Sequence, residues 1–231
     1  MLESGCGGEG ANMLKIVIFD SGYGGEDFAD RLESELPTTE IIRVIDRKST
    51  DQVLKSSKNA RALAEKALLP FIGKVDLIIF ANYFVSATSL RYFRRKYRDQ
   101  KFIGFTLKPR RIVPGRPTLI LTTKAITKSL AYFDFTRRTS ARTICLDHWF
   151  TLINNDDFTI KKFETELKPE VSKIKKFTPK QIFLASGELN GFKPEFKQLF
   201  GHNTRIVDSF DDTVDETFRT LQLRGRSSRK R

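Results

Sequence analysis

The chain has 231 residues, of which 39% are hydrophobic and 11% aromatic, and its 41 Lys and Arg outnumber 28 Asp and Glu for a net charge of +13. That is enough apolar material for one large core or two small ones, which excludes a disordered chain. No apolar run approaches the roughly 18 to 20 residues of a membrane helix, so no membrane association is expected and the short apolar runs read as interior strands.

Residues 1–12, "MLESGCGGEGAN", are glycine-rich and lack both the basic start and the apolar stretch of a secretion signal. They read as a flexible extension, with Met13 as an alternative start. "LKIVIFDSGYGGEDFADRLESEL" follows as strand, glycine-containing turn and helix, "EIIRVID" (40–46) as a second strand, and "SKNARALAEKALLPFIGK" as a helix carrying Ala60, Leu63, Ala64 and Ala67 on one face. "VDLIIFAN" is a third strand and "KFIGFT" a fourth. Between them, "LRYFRRKYRDQK" reads as an amphipathic helix, with Leu90, Phe93 and Tyr97 as its buried stripe and Arg91, Arg94, Arg95 and Arg98 as its wet face. Strands that alternate with helices call for a parallel sheet covered on both faces.

"LKPRRIVPGRP" (107–117), with three prolines and four basic residues, reads as a crossover, after which the pattern restarts. "TLILTTKAITKSLAYFDF" is strand then helix, "ARTICLDHW" a strand, "DFTIKKFETELKPEVSKIKKF" a helical connector, and "QIFLASGELNGFKPEFKQLF" strand, polar turn and helix. A short strand, "TRIVDS", leads into "FDDTVDETFRTLQLR", a helix with acids in its first turn, where the helix dipole favours them. The fold class expected is α/β, with two similar parallel-sheet α/β domains and the ligand cleft between them. The boundaries expected are 1–12 for the extension, 13–107 plus 205–223 for the first domain, 108–204 for the second, and 224–231 for a basic disordered tail. That tail, "RGRSSRKR", holds Arg224, Arg226, Arg229, Lys230 and Arg231 and no acid, and is a candidate polyanion contact through counterion release.

Cys6 and Cys145 are the only cysteines and suggest no disulfide framework, which fits a reducing cytoplasm. His148 and His202 are the only histidines, too few for a metal cluster, so neither a metal nor another cofactor is expected. The first strand ends in "FDSGYGG". An Asp and a Ser at the carboxyl end of a strand, followed by glycines and a helix, present a carboxylate, a hydroxyl and backbone N–H groups to a small ligand, or equally cap the helix. The glycine spacing fits neither a Walker loop nor a dinucleotide fingerprint. Asn82, at the end of the third strand, is the second polar group at such a position.

Together these stretches resemble the glutamate racemases, within the aspartate/glutamate racemase superfamily, over nearly the whole chain. "IVIFDSGYGG" matches the family's opening, "VDLIIFANYFVSAT" its strand ending in Cys-Asn-Thr-Ala, "PKQIFLASGELNGFKPEFKQLFG" its strand ending in Gly-Cys-Thr-His, and "TRIVDS" its valine-aspartate-serine run. The resemblance implies two α/β domains with the substrate pocket between them, the final segment returning to the first domain, and in some members a homodimer. It implies that Asp20 and Ser21 bind substrate and support the catalytic base, and that Asn82 is the substrate-binding Asn. In the family, two cysteines take and return the α-proton on opposite faces of the amino acid without a cofactor, in supplying D-glutamate for the cell wall. Here Ala81 and Ser186 stand at those two positions. Tyr83 replaces the following Thr, Gly187 and Glu188 replace the Thr-His, and "DQV" (Asp51, Gln52, Val53) replaces the Pro-Tyr-Gly that faces substrate. Thr123, Lys124, Ala125 and Ile126 stand where the family has Thr-x-Gly-Thr.

A thiol titrating near roughly 8.5 can be tuned to act as both acid and base, whereas a serine hydroxyl is far too weak an acid and an alanine carries no proton. The reading is therefore a racemase-like protein without two-cysteine racemisation, holding a small amino acid or dicarboxylate through Asp20, Ser21, Asn82, Tyr83, Gln52, Val53 and Gly187. The alternative is an isomerase, lyase or decarboxylase in which Glu188, with Ser186 or Asp20, works as a one-sided base. A third possibility is polyanion binding through the tail and the arginine-rich helix.

Overall fold

The computed structural model describes residues 13–22, 24–137, 139–147, 149, 165, 169 and 177–223. The expected N-terminal extension, the helical connector read in "DFTIKKFETELKPEVSKIKKF", His148 and the basic tail lie outside the described residues, apart from 165, 169 and Phe177 of the connector.

The first half contains β1 (Lys15–Asp20), α1 (Gly24–Glu35), β2 (Glu40–Ile45), α2 (Thr50–Lys55), α3 (Ser57–Leu68), β3 (Leu77–Phe80), α4 (Tyr83–Lys96) and β4 (Phe102–Gly104). The second contains β5 (Thr118–Thr122), α5 (Lys124–Thr127), α6 (Leu130–Thr136), β6 (Ala141–Cys145), β7 (Gln181–Leu184), α7 (Lys193–Phe200) and β8 (Arg205–Val207). A closing helix, α8, spans Phe210–Thr220. Each half is a parallel sheet, in the order β2-β1-β3-β4 and β6-β5-β7-β8. The two orders are the same, so the halves repeat one topology although their sequences do not repeat. In both, the chain reverses its direction of travel across the sheet between the first strand and the third, which opens a crevice at their carboxyl ends.

Burial explains the strands. Every residue of β3, β5 and β7 is buried, as is β1 after Lys15, which is the continuous apolar run of a sheet covered on both faces. In the second half the period of two sorts the side chains. Leu119, Leu121, Ile182 and Leu184 join Trp149, Leu189 and Phe196 in a core of their own, whereas Ile120 and Phe183 join the core of the first half. The Phe183 ring meets Tyr83 at 6.0 Å and Phe135 at 5.6 Å between centroids, so an apolar seam joins the halves.

The side chains expected as a buried stripe are placed so, with Phe93 buried, Leu90 and Tyr97 half-buried, and Arg91, Arg94, Arg95 and Arg98 exposed, but α4 ends at Lys96, so Tyr97 and Arg98 stand just past the helix. Three expectations need correction. The "DQV" that the resemblance sets facing substrate lies within α2, with Val53 buried beneath it. Cys145, read as lying inside a strand, is the last residue of β6. The return to the first half, expected at residue 205, comes later. Strand β8 pairs with β7 in the second sheet, and it is α8 that packs on the first half, with Phe210 against Phe28 at 5.3 Å and Arg31 bonded to Asp211 at 2.7 Å. A three-residue strand pairs with whichever neighbour its backbone reaches, and its sequence carries no record of which sheet that is. No helix among the described residues is long and apolar enough to cross a membrane.

Candidate functional site

The carboxyl ends of β1, β3, β5 and β7 converge on one small cavity. Its wall includes Asp20 and Ser21 after β1, Ala81, Asn82 and Tyr83 after β3, Thr123 after β5, and Ser186, Gly187 and Glu188 after β7. The topology puts them there, because both crevices open toward each other.

Asp20 is 2% exposed and closely held. Its carboxylate accepts from the backbone N–H of Ser21 at 2.7 Å, from that of Gly25 in the first turn of α1 at 2.7 Å, and from the Asn82 side-chain amide at 2.9 Å. The same amide nitrogen donates to the Ser21 hydroxyl at 3.1 Å, and the Asn82 side-chain oxygen accepts the Val85 N–H at 3.0 Å. Asn82 is thus the N-cap of α4, with extended backbone at φ −131° and ψ 121°, and it also ties the end of β3 to the end of β1. This accounts for an amide at the end of an otherwise apolar strand.

On the facing wall the Ser186 hydroxyl donates to the Glu188 carboxylate, and Glu188 sits in a 3-10 turn, Gly187–Phe192. Gly22 shows how closely the two carboxylates approach. A Cβ built on it would lie 2.2 Å from Glu188 Oε1 and 3.6 Å from Asp20 Oδ2. Burial, and after it the negative charge of Glu188, push the Asp20 carboxyl up to about 7, against the lowering influence of its three hydrogen bonds. A carboxyl poised near neutrality can give or take a proton at working pH.

The halves touch at glycines. A Cβ on Gly24 would fall 2.3 Å from Gly187 Cα, and one on Gly187 would fall 2.8 Å from Gly24 Cα, so backbone meets backbone where any side chain would intervene. The cavity between them measures about 30 Å³. A single water needs at least ~10–15 Å³ by this measure, so in this arrangement the cleft admits water and not an amino acid.

The other site candidates are placed as follows. Ala81 is buried on the cavity wall and carries no proton. Tyr83 is on the wall too, but its hydroxyl accepts from Ser209 N at 2.9 Å and Ser209 Oγ at 2.7 Å, and burial next to Asp208 raises its titration further, so it stays protonated and committed to α8. Gln52 is exposed and Val53 is buried under α2, and neither reaches the cavity. Thr50, two positions before that pair, and Leu54, directly after it, line it instead, with Thr50 donating to the Ser21 carbonyl. The segment coils into a helix, in which residues four apart share a face, so Thr50 and Leu54 turn to the cleft together while Gln52 and Val53 turn away. Phe84 and Ile126 also line it, and Thr123 spends its hydroxyl capping α5. Thr123 ends a strand in the same way as Asp20, a signal that finds it. Cys145 is outside the cavity wall, and burial pushes its thiol up. His202 is exposed beyond α7. Among the described residues no three His, Cys, Asp or Glu come together as metal ligands.

No protein-family model matches the chain. The chain is 20% identical over 222 residues to the glutamate racemase of Campylobacter curvus, covering 90% of this chain and 83% of that protein. The crystal structure of Escherichia coli glutamate racemase in complex with L-glutamate and the activator UDP-MurNAc-Ala superposes with a TM-score of 0.76 at 19% identity, over 94% of this chain and 85% of that one. The Picrophilus torridus aspartate racemase superposes with a TM-score of 0.56 at 14% identity, over 92% and 95%. The two parallel sheets and the facing strand ends are therefore the fold of the aspartate/glutamate racemases, and along nearly its whole length the chain is similar to glutamate racemases.

Proposed function

We propose that this is a racemase-fold protein that binds a small amino acid in the cleft and does not carry out two-base racemisation. The observation behind the reading is Ala81. It stands at the end of β3, the position from which the resemblance would have one thiol work, and nothing there can move a proton. Ser186, at the other position, gives its hydrogen to Glu188 and is far too weak an acid to replace a thiol.

The chemistry of the wall favours an amino acid over a dicarboxylate. Asp20 and Glu188 both face the cavity, and no Lys or Arg lines it among the described residues. An ammonium group meets two carboxylates there, whereas a second substrate carboxylate meets only repulsion. Asp20, Ser21, Asn82 and Gly187 are the residues assigned to ligand binding. Tyr83, Gln52 and Val53 drop out because their side chains are committed or turned elsewhere. Access requires the halves to part at Gly24 and Gly187. The setting assigned is the cytoplasm, on the chain's sparse cysteines.

One observation supports a second reading. Asp20 is poised near neutrality next to Glu188, which suits proton transfer on a single face of a substrate. One experiment separates the two. The protein is incubated with the L and D forms of glutamate, aspartate and alanine in deuterium oxide, with binding read by thermal shift, optical activity by circular dichroism and α-hydrogen exchange by NMR. Binding with retained optical activity and no exchange is the expected result. Exchange without inversion moves the assignment to a one-sided base, and loss of optical activity overturns the proposal.

A further inference from the structure

The arginine-rich face of α4 is not used by the cleft. It forms the floor of a hollow of about 710 Å³, lined by Arg61, Arg91, Tyr92, Arg95, Lys96 and Arg98. A second hollow of about 650 Å³ shares Ala87, Thr88 and Leu130 with the first, so the two run on as one groove, and it adds Lys55, Lys124 and Lys128.

The charge in this groove is not neutralised from within. The first hollow has no carboxylate on its wall, and the carboxylate on the wall of the second, Asp147, accepts the backbone N–H of Lys124. Arg31, Arg43, Arg47, Arg94, Arg110 and Arg111 each form an ion pair with an acid. Arg61, Arg91, Arg95 and Arg98 form none among the described residues, and the Arg61 Nε is buried without a hydrogen-bond acceptor. Lys96 is the exception, paired with Glu65.

The shape of the charge also matters. Arg91 and Arg95 lie one turn apart on one face of α4, and Arg98 follows just past the helix end at Lys96, on the wall of the same hollow. A favourable dipole at the helix C-terminus explains one or two cations in the last turn, but not a row that continues into the lysines of a neighbouring hollow. Both faces of such a groove suit a chain of phosphates more than a single anion. The Tyr92 ring already carries the Arg61 guanidinium at 4.4 Å and the Lys96 ammonium at 5.6 Å, so it is not free to stack a base.

We infer that the groove along α4 binds single-stranded nucleic acid through its phosphates, without reading its sequence. The groove residues are distinct in sequence from the basic tail (224–231), and the assignment does not depend on the cleft's ligand.

The test is fluorescence anisotropy with the full chain and a labelled oligothymidylate of about 20 nucleotides, from about 50 to about 200 mM salt. Three variants are compared with the wild type: Arg91→Gln/Arg95→Gln/Arg98→Gln, a control Lys48→Gln/Lys74→Gln/Lys180→Gln with equal charge loss elsewhere, and a chain ending at residue 223. All six substituted side chains are on the surface, so circular dichroism should show the fold unchanged. The groove variant is expected to bind at least tenfold more weakly and to flatten the salt slope by about 2, since each phosphate contact on a single strand contributes about 0.7. The control and the shortened chain should retain most of the affinity. Absence of binding by the wild type at low salt overturns the inference. So does a groove variant that binds like the wild type, or inorganic polyphosphate that binds where the oligonucleotide does not.

Discussion

The two halves share one strand order, yet their strand ends are fixed to very different degrees. At the ends of β1 and β3, Asp20 accepts three hydrogen bonds and Asn82 is bonded in three directions, so the wall of the first half is set before any ligand arrives. At the ends of β5 and β7, Thr123 is used as a cap and Glu188 is held by Ser186 alone among the polar contacts of that wall. The same topological position thus yields a fixed receptor on one side and a lightly tethered carboxylate on the other. The titration of Asp20 is set first by its burial and then by how closely the second half brings Glu188 to it.

The largest consequence of that asymmetry is a dependence of stability on pH. Asp20 titrates at about 7 in the folded protein and at 3.8 in its reference state. Its raised value means that the folded state holds the proton more tightly than the unfolded one. The contribution is therefore fully present below about pH 4 and is lost as pH rises through about 7. At about 1.4 kcal/mol per unit, the whole limb amounts to at most about 4 kcal/mol. Denaturant unfolding of the wild type across this window should show the decline, and Asp20→Asn should flatten it. Moving Glu188 sharpens the comparison, since Glu188→Gln removes the charge that helps hold Asp20 up and should move the limb to lower pH. A limb that is unchanged in both variants would separate Asp20 from the pH response.

A smaller effect is expected where backbone meets backbone. Gly24→Ala places a methyl 2.3 Å from Gly187 Cα, and neither the first turn of α1 nor the turn after β7 can yield without the halves separating. A cost of about 1–3 kcal/mol is expected, as for overpacking in general. Small-angle scattering should show a more open particle. Gly22→Ala meets the end of a flexible side chain instead, at 2.2 Å from Glu188 Oε1, and should displace that carboxylate at lower cost. Equal losses from the two substitutions would contradict the contrast between a backbone contact and a lightly held side chain.

Much of this was legible in the sequence, and the failures have a common cause. The alternation of apolar runs with amphipathic stretches gave the strands and most helices, because each follows from a local period. Asp20 and Asn82 could be picked out as polar groups at the carboxyl ends of buried strands, and Ser186 and Glu188 through the resemblance, and both crevices gather such residues. Gln52 and Val53 are off the cavity wall because the segment that likeness sets facing substrate coils into α2 and turns Thr50 and Leu54 to the cavity instead. The pairing of β8 with β7 was invisible for a different reason. Strand partnership is a non-local property, and "RIV" is equally suited to either sheet edge. The groove on α4 was read as a wet helix face, since a single helix cannot reveal that Arg61, Lys124 and Lys128 stand opposite it.

The smallest effect bears on Asn82, whose two roles can be pulled apart. As a helix cap it satisfies the Val85 N–H, and as a link it donates to Asp20. Asn82→Ala removes both and should cost about 0.5–2 kcal/mol at pH 5 for the cap, while raising the Asp20 limb further because a lowering hydrogen bond is gone. Asn82→Asp keeps an oxygen for the cap and sets a second carboxylate against Asp20. If the cap were the dominant role, Asp would be milder than Ala at every pH. Because the link to Asp20 is the shorter bond and the more deeply buried partner, Asp should instead be the more damaging at pH 8 and the milder below about pH 4, where the carboxylates are protonated. That crossing of the two stability curves is expected only if the wall of the first half is held together through Asp20, and parallel curves would assign Asn82 to the helix alone.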